Sequence, residues 1–226
     1  GIEKTNFFQA FGYSVLITVG SVAVIILCTS MCAWYICRVK TKFTKILYML
    51  CLFAMIVPFQ MVMFTLSKLA NMMHLSNPVG IILVYLGFGA GLAVFMFCGF
   101  VKSIPIEIEE AAMIDGCTPI QTFFQVVFPI MKPMHATVAV LTALGTWNDV
   151  MTPLVIMSGS GSGNTLPLAQ LNFQTQFGTN YNLAFASYRT SMIHIPDICR
   201  CHLLISDFQR ICQKHILNGV VNGAVK

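Results

Sequence analysis

Glu110-Ala111-Ala112-Met113-Ile114-Asp115-Gly116, followed by Phe128-Pro129, lies between two long apolar runs and reads as an ordered, acidic, turn-broken helix pair. A connector between two membrane spans needs no such order, so the stretch marks a membrane protein with a built loop.

Working outward, 57% of the 226 residues are hydrophobic and only 9% are charged, against about 25% charged in soluble domains. This composition predicts an all-α, polytopic transmembrane bundle. Crossing a hydrocarbon core of about 30 Å takes roughly 20 apolar residues at about 1.5 Å each. Four runs are long enough, approximately 12–37, 46–66, 78–101 and 136–157. The first begins too far into the chain and lacks the charged flank and small-residue cleavage site of a removable signal, so it reads as a true span.

Positive residues stay on the cytoplasmic side. Arg38, Lys40, Lys42 and Lys45 therefore place the first link inside. Alternation puts Lys68 and His74 outside, 102–132 inside and 158–188 outside, and this last segment has no charged residue. The net charge of +5 thus reports topology, not nucleic-acid binding. Cys28, Cys32, Cys37, Cys51 and Cys98 fall in or at the ends of apolar spans and Cys117 faces inward, so small buried hydrophobes explain them better than redox chemistry or disulfides.

Within the inside loop, Pro105 suits a first helical turn, and Glu107, Glu109 and Glu110 fall where the positive end of the helix dipole favours carboxylates. A helix over about 106–115 follows, ended by Gly116 as the residue that tolerates a left-handed cap. Thr118 caps a second helix with Pro119 at its first position and Gln121 as capping-box partner, and Pro129 and Pro133 separate it from the next span. Ile108, Ala111 and Ala112 give the first helix a compact apolar face. Helices that lie on lipid carry Lys and Arg on the polar face, whereas this face is acidic, which favours docking to a partner.

Glu110-Ala111-Ala112, Gly116 and Val126-x-Phe128-Pro129 resemble the cytoplasmic signature of the integral-membrane permease subunits of binding-protein-dependent ABC importers. The fuller run from Pro105 to Gly116 is similar to the carbohydrate (maltose/multiple-sugar type) branch, as are Trp147-Asn148-Asp149 with Pro153-Leu154 and the tail Asn222-Gly223-Ala224-Val225. The resemblance covers nearly the whole chain up to Tyr188. It implies a type I importer permease domain over 1–226, with about five spans, in a prokaryotic cytoplasmic membrane. It also implies that Glu110, Ala111, Ala112, Asp115, Gly116 and Pro129 belong to a loop coupled to a cytosolic ATPase. The partners implied are an ATP-binding subunit dimer, a second permease subunit and an external sugar-binding protein.

No G-x-x-x-x-G-K-[ST] phosphate loop occurs, so ATP is expected on a partner subunit and no cofactor on this chain. The run 159–163 alternates Gly and Ser without a lysine and reads as a flexible linker. The fourth span carries Thr137, Thr142, Thr146, Trp147, Asn148 and Asp149. A carboxylate deep in a span costs roughly 2.5–3.5 kcal/mol and usually faces a cavity or another helix. Trp147, Asn148 and Asp149 are thus candidates for the substrate pathway, stacking on and hydrogen-bonding a sugar. Equally, Asn148 and Asp149 could tie this helix to a neighbour, with Trp147 in the interfacial aromatic belt. Gly87, Gly89 and Gly91 read as close-packing or bending points.

Two departures from the family pattern stand out. Family members normally have another span before residue 12, so an N-terminal piece is expected to be missing. The segment 189–210 contains Arg189, His194, Asp197, Arg200, His202, Asp207 and Arg210 where a last span is expected. A locally shifted reading frame, restored before Ile211, would account for this; a zinc site from His194, Cys199, Cys201 and His202 lacks the usual two-pair spacing. A secondary transporter or channel is the alternative function, but Asp149 alone offers an ion-coupling carboxylate in a span. An intramembrane hydrolase has only His135 as a base and no Gly-x-Ser-x-Gly elbow.

Overall fold

The structure is a computed structural model that describes residues 7–157, 165–169, 174–175 and 178–179. In hydrocarbon each backbone N–H and C=O must be satisfied within its own segment, so the apolar runs fold as helices. The first is α1, Phe7–Arg38, whose 32 residues reach about 48 Å, well beyond one hydrocarbon layer. It lies against α4, Gly80–Val101. The two run in the same direction: Gly20 approaches Ile82, Ile25 approaches Gly89, and the carbonyl of Ala33 accepts from Cys98 Sγ. Small side chains permit this approach, and Ser14, Thr18, Ser21, Thr29 and Ser30 of α1 are all buried.

The run expected as one span at 46–66 is broken. It forms α2, Lys42–Ile56, and α3, Phe59–Met72, bent by 108°. Pro58 has no N–H to continue the ladder and forces Val57 into an extended conformation, ψ 117°. At 15 residues α2 is about 22 Å long, shorter than the hydrocarbon layer. It packs on α4 through Gly91, where a Cβ would stand 2.6 Å from the carbonyl oxygen of Cys51. Gly89 meets only the tip of Ile25, and Gly87 faces open space, so of the three glycines expected at close-packing or bending points Gly89 and Gly91 are close-packed.

The run expected at 136–157 is broken too. Helix α8, Lys132–Asn148, stops before Asp149, which is extended at ψ 126°, and α9, Met151–Met157, begins anew. Asp149 Oδ1 accepts from the N–H groups of Met151 and Thr152, at 2.9 and 3.3 Å, so the carboxylate starts α9. Among the described residues, α1 and α4 are each long and apolar enough to cross a membrane, and two bent pairs raise that number to as many as four.

One core cluster joins α1, α4, α8 and the inside loop around Phe97, Val101, Phe123, Val127 and Met131. A second, toward the other end, joins Ile17, Ala70, Ile81, Val84 and Ile156. Helix α10, Leu166–Ala169, packs on α1, where Ser14 Oγ accepts from Leu166 N–H at 2.7 Å. Two-residue strands, Gln174–Thr175 and Gly178–Thr179, pair antiparallel. Most of the 158–188 segment with its linker, the 189–210 segment, the four potential zinc ligands and the tail lie outside the described residues.

Candidate functional site: the 102–132 loop and the cavity behind it

The loop is two short helical segments divided at Gly116. Helix α5, Ile106–Ile114, starts after Pro105 and carries Glu107 and Glu109 in its first turn. It ends in a Schellman arrangement: Gly116 N–H donates to Met113 O at 3.1 Å and Cys117 N–H to Ala112 O at 3.0 Å. Gly116 has φ +95°, a conformation that a side chain would strain. Thr118 and Gln121 form the expected capping box at the head of α6, Pro119–Thr122. The chain continues through a π-helical turn, Phe123–Val127, and α7, Phe128–Ile130, and then bends by 75° into α8. Pro129 lies in α7 and Pro133 in the first turn of α8, with Met131 between them at the break. The π-turn turns Phe123 and Val127 into the core and leaves Phe124 exposed.

One side chain of α5 dominates its attachment. Glu109 is 4% exposed and accepts from Arg38 Nη2 at 2.7 Å, Arg38 Nε at 2.9 Å and Trp34 Nε1 at 3.0 Å. Arg38 Nη2 also donates to the carbonyls of Ile104, at 3.0 Å, and Val101, at 3.4 Å. Trp34 packs in turn on Phe123, 5.3 Å between ring centroids, so a single indole touches both halves of the loop. The dipole favours Glu107, Glu109 and Glu110 alike, yet of the three only Glu109 is buried. Its position three residues from half-buried Ala112, on the bundle-facing side, sets it apart from exposed Glu107 and Glu110. A lone arginine closing a span was the available signal, though it does not say which glutamate answers it.

The opposite face of the loop is open. Glu110, Ala111, Asp115 and Gly116 are exposed, Ala112 and Pro129 are half-buried, and Ile114 is 86% exposed. Ile106, Ile108, Met113, Ile120 and Phe124 extend that apolar exposure. A surface with an apolar centre and a rim of carboxylates has the make-up of a protein contact.

At the far end of α8 the three candidate pathway residues separate. Trp147 turns toward α1, edge-on to Phe11 at 5.9 Å, and packs beside Ala10, Leu166 and Ala169. Asn148 Oδ1 is buried without a hydrogen-bond partner among the described residues. Asp149 lines a cavity of about 420 Å³ and accepts from Tyr85 Oη at 3.1 Å. Gln60, Thr142, Thr146 and Thr152 line the same cavity, with Phe59, Phe88 and Met151 as apolar walls. His135, at the other end of α8, lies tilted against Phe128 at 4.2 Å and edge-on to Phe97 at 5.3 Å, and does not line this cavity.

The sequence model of a family described as binding-protein-dependent transport system inner membrane component matches residues 25–200. The multiple sugar-binding transport system permease protein MsmG of Streptococcus mutans is 37% identical over 96% of this chain and 76% of its own length. The probable starch degradation products transport system permease protein AmyC of Thermoanaerobacterium thermosulfurigenes is 34% identical over 98% of this chain and 77% of its own. Among solved structures, a chain of a bacterial ABC transporter involved in the import of the acidic polysaccharide alginate shares the fold, with a TM-score of 0.65 at 20% identity, over 96% of this chain and 74% of that one.

Proposed function

The chain belongs to the family of binding-protein-dependent transport system inner membrane components, and from that premise we propose that it forms half of a carbohydrate pathway whose opening is driven through the 110–116 turn by a cytosolic ATPase. It is a multi-pass component of the cytoplasmic membrane and a transport protein, not an enzyme. The observation that carries the coupling role is the two-sided construction of α5. Glu109 is held in the bundle by Arg38 and Trp34, while Ile114, Asp115 and Gly116 stand free for a partner. Movement imposed on the free side reaches α1 through the ion pair and α8 through the Phe123–Val127 segment.

The partners this role requires are an ATP-binding subunit dimer beneath the loop, a second permease chain completing the pathway, and an external sugar-binding protein. Of the three pathway candidates, Asp149 has the best placement, because a cavity with hydroxyl, amide and carboxylate groups between aromatic walls suits a sugar. Trp147 serves the packing of the α8 end against α1 and α10. The test is Gly116→Val in the reconstituted importer: substrate-stimulated ATP hydrolysis should be lost while the isolated ATPase stays active. Normal coupling in that variant would remove the assignment.

A further inference from the structure

At the basic end of the bundle, α1, α2 and α4 enclose a pocket of about 380 Å³. Lys40, Lys45 and Lys102 line it, together with Thr41, Thr44 and Tyr48, and no carboxylate does. Among the described residues none of the three lysines forms an ion pair; Lys102 Nζ rests 5.9 Å over the Tyr48 ring. The first turn of α2 opens beside it, adding the partial positive charge of a helix start. All three lysines are exposed, and they put positive charge on this pocket with no carboxylate in its lining.

A second, apolar groove of about 420 Å³ adjoins this pocket and shares Tyr48 and Lys102 with it. Its other walls are Phe95, Met96, Gly99, Phe100 and Met134, with Ser103 at the lysine end. It runs along α4 from Lys102 back toward Phe95, into the apolar body of that helix. Gly99 leaves it open, with nothing within 4 Å of where a Cβ would stand.

A cationic pocket continuous with an apolar groove matches one kind of molecule, with an anionic head and a long apolar tail. We propose that this chain holds an anionic phospholipid here, the phosphate among Lys40, Lys45 and Lys102 and one acyl chain along Phe95, Met96 and Gly99. A free phosphate would use the lysines and leave the groove unexplained. The site requires only that the helices cross a membrane, so it stands apart from the coupling role of the loop.

The test uses the assembled importer in nanodiscs of equal parts phosphatidylglycerol and phosphatidylcholine, with native mass spectrometry counting the lipid that stays bound after extraction. Wild type should retain phosphatidylglycerol over phosphatidylcholine, and added inorganic phosphate should not displace it. K40Q/K45Q/K102Q should lower retention on the order of a hundredfold, since each basic residue near the headgroup counts for about fivefold. Gly99→Leu should lower it without any change of charge. If the triple variant does not assemble, Lys45→Gln, at an exposed position, carries the charge test with about a fivefold loss. Equal retention of the two lipids, unchanged retention in the lysine variants, or displacement by phosphate would overturn the assignment. Absence of any retained lipid in wild type would overturn it too, by showing that protein covers the groove.

Discussion

Arg38, the last residue of α1, and Glu109, in the opening turns of α5, form an ion pair of 2.7 Å with only 17% and 4% of their side chains exposed. They lie 71 positions apart in the chain, yet the guanidinium also holds the carbonyls that lead from α4 into the loop. The end of one span, the end of another and the start of the loop helix thus meet at one charge.

Removing one partner leaves a buried charge without its complement, which costs about 3–5 kcal/mol. Glu109→Ala is expected to lower the melting temperature of the purified importer and to uncouple ATP hydrolysis from transport. Arg38→Met combined with Glu109→Leu should recover most of the stability while leaving coupling impaired. Equal recovery of both would reduce the pair to a packing element.

Ile114 offers the reverse case, because it touches little within the chain. Ile114→Glu should change the stability of the isolated permease by no more than about 0.5 kcal/mol. Affinity for the ATP-binding subunit should fall by about tenfold or more if this residue is central to the contact. Co-purification across a salt and concentration series measures it, and undiminished binding would place the contact elsewhere.

For Asp149, the helix-starting role must be separated from any role in transport. Asp149→Asn keeps a side-chain oxygen for the N–H groups of Met151 and Thr152, so assembly should stay near wild type. Loss of the charge that Tyr85 addresses should slow sugar uptake by roughly tenfold or more. Asp149→Ala removes both roles and should add a stability loss of about 1 kcal/mol. Full transport by the Asn variant would leave the residue as a cap only.

Gly91 and Gly89 are two residues apart, about half a helical turn, and so face different neighbours. Gly91→Ala presses a methyl on the Cys51 carbonyl of α2, a backbone atom that cannot swing away, with an expected cost of about 1–3 kcal/mol. Gly89→Ala meets only the end of the Ile25 side chain and should be milder. Thermal unfolding of the two variants side by side checks the order.

Features that depend on neighbours in sequence were legible without a structure. The Thr118–Gln121 capping box, the left-handed Gly116 and the helix between Pro105 and Asp115 follow from local chemistry, and each is present. Hydropathy summed over a window is blind to a break inside it, so the 46–66 and 136–157 runs look unbroken by that measure despite Pro58 and Asp149. Both residues carry the signal individually, one through its missing N–H and the other as a helix-starting carboxylate. The direction of Trp147 and the burial of Glu109 were not legible, since each is set by a helix distant in sequence, Phe11 in one case and Trp34 with Arg38 in the other.

The fastening of α5 at Glu109 and its freedom at Ile114 make it a lever with an off-centre fulcrum. Five residues of helix separate the two, an arm of about 7–8 Å. The opposite arm, back to Ile106, is about 4–5 Å. Under the proposed coupling, a push at Ile114 would act over the longer arm, against a helix start whose leading carbonyls, Val101 and Ile104, are held by the same Arg38. Glu109, the buried carboxylate of α5, fixes where on the helix that pivot would lie.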